Sequence, residues 1–126
     1  MARPVILKPR EGTGGGNFPQ IHGPSDLIDI DPGRWLLQEV LRKPHGCVET
    51  FLGRNGKIFR CVFRQFLERR PGGPSTKARL YDDPALRSLA ERLARELPFF
   101  GAFNFEVMTD EAGDWRIIDV NPRASA

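Results

Sequence analysis

The alternation of apolar and polar positions is clearest near the end of the chain, where residues 102–108 and 115–123 are rich in aromatic and β-branched residues. A short polar segment separates the two runs, so the pattern predicts a β-hairpin. Because side chains alternate between the faces of a strand, Asn104 and Glu106 are expected to share one face of the first strand. On the second strand, the same alternation assigns one face to Trp115, Ile117, Asp119 and Asn121.

A loop of four residues, 111–114, fixes the predicted register of this hairpin. Two carboxylates that face each other across a strand pair repel by roughly 0.2–1 kcal/mol, unless a cation lies between them. Carboxylate and amide oxygens are ligands that suit Mg²⁺. The alternative is an ordinary hairpin with a hydrated polar face. The predicted pairs are Asp110 with Trp115, Glu106 with Asp119, and Asn104 with Asn121.

The remaining pattern predicts an α+β domain with antiparallel strands. Runs of strand composition are joined by tight turns, and the pair Asn55 and Gly56 is typical of a hairpin loop. Residues 84–97 carry apolar side chains at helical spacing. Asp83 and Pro84 are typical of a helix N-terminus. We therefore expect one long helix whose apolar stripe belongs to the core.

Two predicted strands carry expectations about burial. Residues 35–41 are mostly apolar, so they are predicted to form a buried strand that ends in an exposed connector at residues 42–45. Residues 57–68 are predicted to form a strand with one apolar and one basic face. The core face would carry Phe59, Cys61 and Phe63, and the basic face Arg60, Val62 and Arg64.

The chain divides into a light N-terminal part and a heavier remainder. Residues 1–41 are rich in glycine and poor in core positions, whereas residues 42–126 hold the longer sheet and the helix. We therefore predict a small lobe at residues 1–41 and a larger lobe at residues 42–126, which carries the closing hairpin.

Length and composition are those of a soluble globular protein. The chain has 126 residues, of which 28% are charged and 40% hydrophobic, enough for about one domain. No apolar run approaches the ~18 residues of a membrane span, and the N-terminus lacks a signal-peptide core, so we expect a cytoplasmic protein. Cys47 and Cys61 are accordingly predicted to be reduced and structural.

The positive charge is concentrated in one region. The net charge is +3, yet between Arg54 and Arg79 eight Lys or Arg residues accompany a single acid, Glu68. Such a region attracts phosphates, acidic substrates or nucleic acid. A non-catalytic anion-binding or nucleic-acid-binding module is therefore an alternative function, although few exposed aromatic residues accompany the basic ones to stack on bases.

A glycine-rich loop follows the first predicted strand. Residues 4–8 form a short apolar run that ends at Lys8, and four of the five residues from Gly12 to Gly16 are glycine. Consecutive N–H groups of such a loop can point inward and bind an anion, so the loop is a candidate phosphate cover. It is not a Walker A loop, because no Gly-Lys-Ser/Thr follows. A flexible linker is the alternative.

These motifs occur in a particular order along the chain. A lysine-terminated strand precedes Gly-Thr-Gly-Gly-Gly, then come Gln-Glu-Val-Leu and Asn-Phe-Glu, and finally Asp-Val-Asn-Pro-Arg. This order resembles the ATP-grasp family, and within it the carbamoyl-phosphate-synthase-like and carboxylate–amine ligase branch. The most specific part is residues 118–123, which are similar to the family's Glu-x-Asn-Pro-Arg strand. The resemblance covers nearly the whole chain and implies an incomplete ATP-grasp fold with a partial lid lobe.

The resemblance implies a nucleotide site that both predicted lobes share. Lys8 would hold ATP phosphates, and the backbone of a loop would close over them. The adenine edge would meet the backbone of Glu39 and Leu41. The closing loop consists of Gly12, Thr13, Gly14, Gly15 and Gly16.

The resemblance also implies a metal site and one catalytic residue on the closing hairpin. Glu106, Asp119 and Asn121 would bind Mg²⁺, with Mn²⁺ as an alternative, and Arg123 would steady the transferred phosphoryl group. Asp119 stands where the family usually has glutamate, which has a longer reach. The family's ribose-binding acid has no counterpart, and His45 lies near that place in the sequence.

The implied reaction activates a carboxylate with ATP as an acyl phosphate, which an amine then attacks. The expected partners are ATP, the carboxylate and amine substrates, and the remainder of a longer ATP-grasp protein, because the family has a domain before the lysine strand. We expect a fragment that is inactive alone. Membranes and nucleic acid are not expected partners.

Overall fold

The computed structural model describes residues 4–12, 18–71, 73–98 and 100–125. It confirms the α+β class, with strands before and after a single α-helix in the described ranges. The elements are β1 (Val5–Pro9), β2 (Gln20–Ile21), a 3₁₀ helix (Pro24–Leu27), β3 (Trp35–Glu39), β4 (Arg42–Leu52), β5 (Ile58–Arg69), β6 (Ser75–Tyr81), α1 (Pro84–Glu96), β7 (Gly101–Thr109) and β8 (Trp115–Asn121).

The strands form two antiparallel sheets. The smaller has three strands in the order β2-β1-β3, and the larger has five in the order β6-β5-β4-β7-β8. The small sheet ends at Glu39 and the large one begins at Arg42. The division into lobes at residues 1–41 and 42–126 remains a prediction, which this arrangement of sheets accommodates.

The core lies between α1 and one face of the five-stranded sheet. Leu86 and Ala90 of the helix are fully buried against the sheet. The predicted helix start is confirmed, because Asp83 Oδ1 accepts hydrogen bonds from the backbone N–H groups of Ala85 (2.9 Å) and Leu86 (3.2 Å). The sheet contributes Val48, Phe63, Phe103, Phe105 and Val107 to this core, each at most 1% exposed. In the described part of the chain, no helix is long and apolar enough to cross a membrane.

The prediction of a buried strand at residues 35–41 is wrong. The strand is shorter (β3), and Leu36 and Leu37 are 40% and 53% exposed. These neighbours point to opposite faces, so both sides of β3 are open. The reason is that β3 lies at an edge of the three-stranded sheet, while α1 packs on β4 and β5 of the other sheet.

Two further expectations also fail for local reasons. Residues 42–45 are not a connector but the beginning of β4, where the pairing with β7 is irregular and the Lys43–Pro44 peptide is cis. Phe59 is not in the core, because it is an extra residue in the β4–β5 pairing and its side chain is 85% exposed.

Candidate functional site

The predicted metal residues Glu106, Asp119 and Asn121 lie on the side of the five-stranded sheet that faces away from α1. We call the side away from α1 the charged face. Buried core residues such as Phe105 alternate with its members along β7. Cross-strand neighbours on the charged face are Cys47, Glu49, Arg60, Arg64, Asn104, Glu106, Asp119 and Asn121.

The register of β7 and β8 at these polar positions is as predicted. Glu106 lies directly opposite Asp119, and Asn104 lies opposite Asn121. Both pairs are therefore confirmed as cross-strand neighbours, at the short separations typical of such pairs. Two carboxylates that repel each other are thus placed side by side.

The pairing at the turn of this hairpin was predicted wrongly, although the register at Glu106 is right. An extra residue in β8 accounts for the difference. Trp115 pairs with Thr109 and not with Asp110, which displaces the strand by one position. Further along, Ile118 is inserted as a β-bulge and restores the predicted pairing at Glu106.

The bulge also separates residues that a regular strand would hold on one face. Trp115 is partly buried and packs against the core, with its ring 5.2 Å from that of Phe63. Asp119 lies on the charged face opposite Glu106. The predicted single face for Trp115, Ile117, Asp119 and Asn121 is therefore wrong, because the inserted residue reverses the alternation. The bulge lets one short strand serve both the core and the site.

Lys8 reaches the hairpin at this bulge. Its Nζ donates a hydrogen bond to the backbone carbonyl of Ile118 at 3.2 Å, across a separation of 110 residues in sequence. The structure therefore brings the predicted phosphate-binding lysine of β1 next to the predicted metal residues. Gly12 is described and has a positive φ of 140°, which glycine adopts readily. The predicted loop residues Thr13, Gly14, Gly15 and Gly16 lie outside the described residues.

Glu106 lies among cationic and proton-donating groups. His45 Nε2 is 2.9 Å from Glu106 Oε2, and Arg69 Nη1 is 3.8 Å from the same oxygen. The hydrogen bond with His45 holds the pKa of the Glu106 carboxyl below its ordinary value, with help from the charges of Arg69 and Lys8 and against the effect of burial. Glu106 is therefore a carboxylate at neutral pH, as a metal ligand must be.

His45 was missed as a partner of Glu106 by the sequence reasoning. The two residues are 61 positions apart, and the contact depends on the irregular start of β4 opposite β7. No spacing or motif marks that irregularity in the sequence. The only sign in the sequence that His45 belongs to the site was its position, which is near that of the family's ribose-binding acid.

Asn121 is oriented by its neighbours. Its Nδ2 donates to Asp119 Oδ2 at 2.9 Å and to Asn104 Oδ1 at 3.4 Å. Asn104 is buried and is itself fixed, because its Nδ2 donates to the carbonyl of Arg123 at 2.6 Å. Among the described residues, none donates a hydrogen bond to Asn121 Oδ1, so this oxygen is available to a cation.

The donor set formed by Glu106, Asp119 and Asn121 suits a metal that is shared with a ligand. Among the described residues, no three His, Cys, Asp or Glu side chains lie close enough to hold a metal by themselves. Two carboxylates and one amide oxygen fit Mg²⁺, which usually keeps several waters and binds proteins through one or two carboxylates plus phosphates. The hairpin alone does not provide a complete set of protein ligands for the metal.

The other predicted site residues make contacts elsewhere on the chain. Arg123 is exposed, and its Nη1 donates to the carbonyl of its neighbour Ala124 at 3.3 Å. Glu39 ends β3, and its carboxylate lies 3.6 Å from Arg116 of β8. Leu41 lies, half-buried, in the link between β3 and β4.

Residues near the β7–β8 turn also contact the start of β4, where the chain passes from the small sheet to the large one. Arg116 Nη2 bonds Asp110 Oδ2 at 2.6 Å, while the Thr109 hydroxyl donates to the carbonyls of Arg42 (3.3 Å) and Lys43 (3.1 Å). Backbone N–H donation from Asp114 is the main reason that the pKa of Asp110 is lowered. The element that carries the site thus also holds the start of β4.

The two cysteines are free thiols, as predicted. Burial, together with the neighbouring Glu49, raises the pKa of the Cys47 thiol to about 12. Cys47 therefore stays protonated and donates weakly to Asn104 Oδ1 at 3.5 Å. Its part on the charged face is structural.

The structure weakens the alternative of a nucleic-acid module. Several cations of the basic region already face carboxylates: Arg64 lies 3.4 Å from Glu49, and Lys77 lies 3.5 Å from Glu68. Paired cations contribute less to binding a polyanion, since their charge is partly neutralised.

The described part of the chain thus combines a helix-backed antiparallel sheet, paired carboxylates on that sheet and a lysine that approaches them from a second, smaller sheet. The family model described as an ATP-grasp domain matches residues 1–126. The chain therefore belongs to the ATP-grasp family, and the resemblance seen in the sequence is confirmed.

Solved structures support the same fold. Biotin carboxylase from Campylobacter jejuni is similar with a TM-score of 0.69 and 20% identity, over 98% of this chain and 32% of that one. N5-carboxyaminoimidazole synthetase from Staphylococcus aureus gives 0.64 and 18%, over 98% and 34%. An L-amino acid ligase from Bacillus licheniformis gives 0.65 and 14%, over 98% and 32%. The chain thus spans about a third of these proteins. Comparison with curated protein sequences gave no match.

Proposed function

We propose that this chain binds ATP with Mg²⁺ on its charged face, as the nucleotide-binding part of a carboxylate–amine ligase. One observation carries the proposal: Glu106 and Asp119 face each other across β7 and β8, while Lys8 bonds the bulge between them. The relatives support it, since one similar synthetase structure is a complex with ADP and the biotin carboxylase is a β,γ-ATP complex.

Each site residue has a part in this proposal. Lys8 binds phosphate oxygens, and the loop from Gly12 to Gly16 covers them. The backbone of Glu39 and Leu41 meets the adenine. Arg123 steadies the transferred phosphoryl group. The metal would be held by Glu106, Asp119 and Asn121, where Mg²⁺, or Mn²⁺ in its place, neutralises phosphate charge.

Phosphoryl transfer requires little of this chain beyond positioning the reactants and neutralising their charge. Phosphoryl transfer to a carboxylate is accelerated mainly by positioning and electrostatic stabilisation. The charged face supplies carboxylates on β7 and β8 and cations on β5, and Lys8 of the small sheet reaches the same hairpin. We infer that other parts of a longer ligase select the acid and the amine and supply the remaining catalytic groups, because this chain corresponds to about a third of the similar structures.

Isothermal titration calorimetry with ATP tests the proposal. Wild-type chain is expected to bind ATP with Mg²⁺ and to lose affinity in EDTA. The double variant Asp119→Ala with Asn121→Ala should lose more than tenfold, because contacts to charged groups are worth about 1.5–3 kcal/mol each.

The matched control removes two exposed carboxylates from α1, as Glu91→Ala with Glu96→Ala. It should bind ATP as the wild type does. Wild-type affinity in the Asp119/Asn121 double variant, measured with Mg²⁺, would contradict the proposal.

A further inference from the structure

The segment that follows β8 turns back over the charged face. Residues 122–124 come directly after β8 and are exposed, whereas Ser125 is half-buried. Ser125 contacts Glu49 of β4 and Arg64 of β5, and both strands lie beyond β7 in the order of the sheet. The segment therefore runs across the strands of the sheet and not along them.

One row of paired residues lies along the path of this segment. Asn121 of β8 pairs with Asn104 of β7, and Asn104 pairs with Glu49 of β4. Neighbouring strands are about 4.8 Å apart, so the row spans roughly 10 Å. Four residues of extended chain reach up to roughly 13–14 Å, which is enough to bring Ser125 from the end of β8 to Glu49.

Ser125 is held by a carboxylate and a guanidinium at once. Its hydroxyl donates a hydrogen bond to Oε1 of Glu49, and its backbone N–H donates to Oε2 of the same carboxylate at 3.4 Å. The hydroxyl also accepts a hydrogen bond from Arg64 Nη2 at 2.8 Å. Hydrogen bonds to charged groups are stronger than those between neutral groups, so this serine is firmly placed. We call Glu49, Arg64 and Ser125 the serine clamp.

A second contact holds the segment between β8 and the serine clamp. Asn104 Nδ2 donates to the backbone carbonyl of Arg123 at 2.6 Å, and Asn104 itself is only 3% exposed. The exposed side chain of Arg123 donates to the carbonyl of Ala124 at 3.3 Å, a contact with its own neighbour that does not fix it relative to the sheet. The position of Arg123 therefore depends on how its backbone is held, by Asn104 and, two residues later, by Ser125.

The held segment lies beside the proposed metal site. Glu106 follows Asn104 by two residues on β7, so the pair of Glu106 and Asp119 is roughly 7 Å from the pair of Asn104 and Asn121. From a backbone fixed at this distance, the long side chain of Arg123 can extend to a phosphate that is bound with the metal.

We propose that Glu49 and Ser125 are positioning residues, which hold the segment after β8 across the charged face and thereby place Arg123 beside the nucleotide phosphates. The inference rests on the proposed function for the role of Arg123, whereas the serine clamp forms without nucleotide. Neither Glu49 nor Ser125 touches the nucleotide, and both act through the backbone of Arg123.

Backbone N–H order parameters from NMR relaxation of the full chain, measured without nucleotide, test the serine clamp. In the wild type we expect values of about 0.85 at Arg123 and Ala124, and values below about 0.6 in Ser125→Ala and in Glu49→Ala. Ser125→Thr keeps the hydroxyl and should resemble the wild type. Ser88→Ala is the matched control, because it removes an exposed hydroxyl from α1 and should change nothing in this segment.

Two results of this measurement would overturn the proposal. One is a wild-type chain in which Arg123 and Ala124 already have order parameters below about 0.6. The other is unchanged order at these two residues in both Ser125→Ala and Glu49→Ala.

Calorimetry with ATP and with AMP, both in Mg²⁺, separates the positioning of Arg123 from a general loss of structure. AMP lacks the β- and γ-phosphates, so its affinity does not depend on a contact with them. Ser125→Ala should weaken ATP affinity at least about threefold, the order of one hydrogen bond, and leave AMP affinity unchanged. Ser125→Thr should bind both nucleotides as the wild type does. Equal losses for ATP and AMP, or wild-type ATP affinity in Ser125→Ala, would overturn the proposal.

Failure of the serine clamp and failure of the proposed function give different results. A wild-type chain that binds no ATP would contradict the proposed function, while the order parameters, obtained without nucleotide, would still decide whether Glu49 and Ser125 hold the segment.

Discussion

The two sheets have similar strand compositions but differ in what covers them. In the five-stranded sheet α1 lies on one face, and Phe103 and Phe105 are at most 1% exposed. In the three-stranded sheet Leu7 and Ile21 are buried, but Leu37 is 53% exposed. The comparison shows that the small sheet buries single side chains, whereas packing of α1 on the large sheet buries side chains on several neighbouring strands.

The small sheet is tied to the large one largely through long polar side chains. Lys8 reaches the carbonyl of Ile118, and Arg116 reaches Glu39. Such contacts in partly exposed positions contribute little free energy compared with a packed core. We therefore expect the large sheet to be the stable unit and the small sheet to open first.

The largest expected effect is that of Phe105→Ala, which leaves a cavity in the core of the large sheet. The free energy of unfolding should fall by about 3–5 kcal/mol in urea denaturation. Leu7→Ala is the matched variant in the small sheet and should cost less. Its hydrogen exchange should rise in β1–β3 while β4–β8 stay protected. Cooperative loss of both sheets with Leu7→Ala would contradict the comparison.

A smaller effect is expected at the start of α1. Asp83→Ala removes the side chain that accepts hydrogen bonds from Ala85 and Leu86, and should lower the free energy of unfolding by about 1 kcal/mol. Asp82→Ala changes an exposed neighbour that does not cap the helix. Thermal denaturation should separate the two variants, and equal midpoints would show that the cap contributes nothing.

Lys8→Met tests the link between the sheets. Loss of the hydrogen bond to Ile118 should cost about 0.5–1.5 kcal/mol and raise hydrogen exchange in β1–β3. Lys57→Met, in the exposed β4–β5 turn, provides the comparison. Unchanged exchange in Lys8→Met would mean that other contacts hold the small sheet.

The smallest expected effect concerns pH. The pKa of Glu106 is lowered in the folded chain, so its ionisation stabilises the fold above the unfolded pKa of about 4.3 and this contribution disappears as pH falls through the folded pKa. The difference in stability between wild type and Glu106→Gln should therefore shrink below about pH 4. A difference that grows on acidification would contradict this assignment.

Local signals in the sequence predicted α1 and the site register correctly. The cap at Asp83 and the apolar stripe are properties of one segment, so no tertiary information was needed. The pairing of Glu106 with Asp119 was right although the turn was displaced by one residue, because the bulge at Ile118 compensates. A bulge carries no reliable mark in a single sequence.

Burial and long-range contacts were beyond the sequence pattern. The exposure of Leu37 depends on which layers pack on β3, and that of Phe59 on an extra residue in the β4–β5 pairing. The contact of His45 with Glu106 joins two strands whose pairing is irregular. The roles assigned to Arg123, Glu39 and Leu41 came from the family resemblance and remain proposals.

The central claim is that the β7–β8 hairpin holds the metal with the nucleotide. Paramagnetic broadening of amide signals by Mn²⁺ in the presence of ATP locates the ion directly. We predict the strongest broadening at residues 104–107 and 118–122, little in α1, and its loss when Asp119 and Asn121 are both changed to Ala. Broadening centred on the acidic turn at residues 110–114, or a pattern that survives the double change, would contradict the claim.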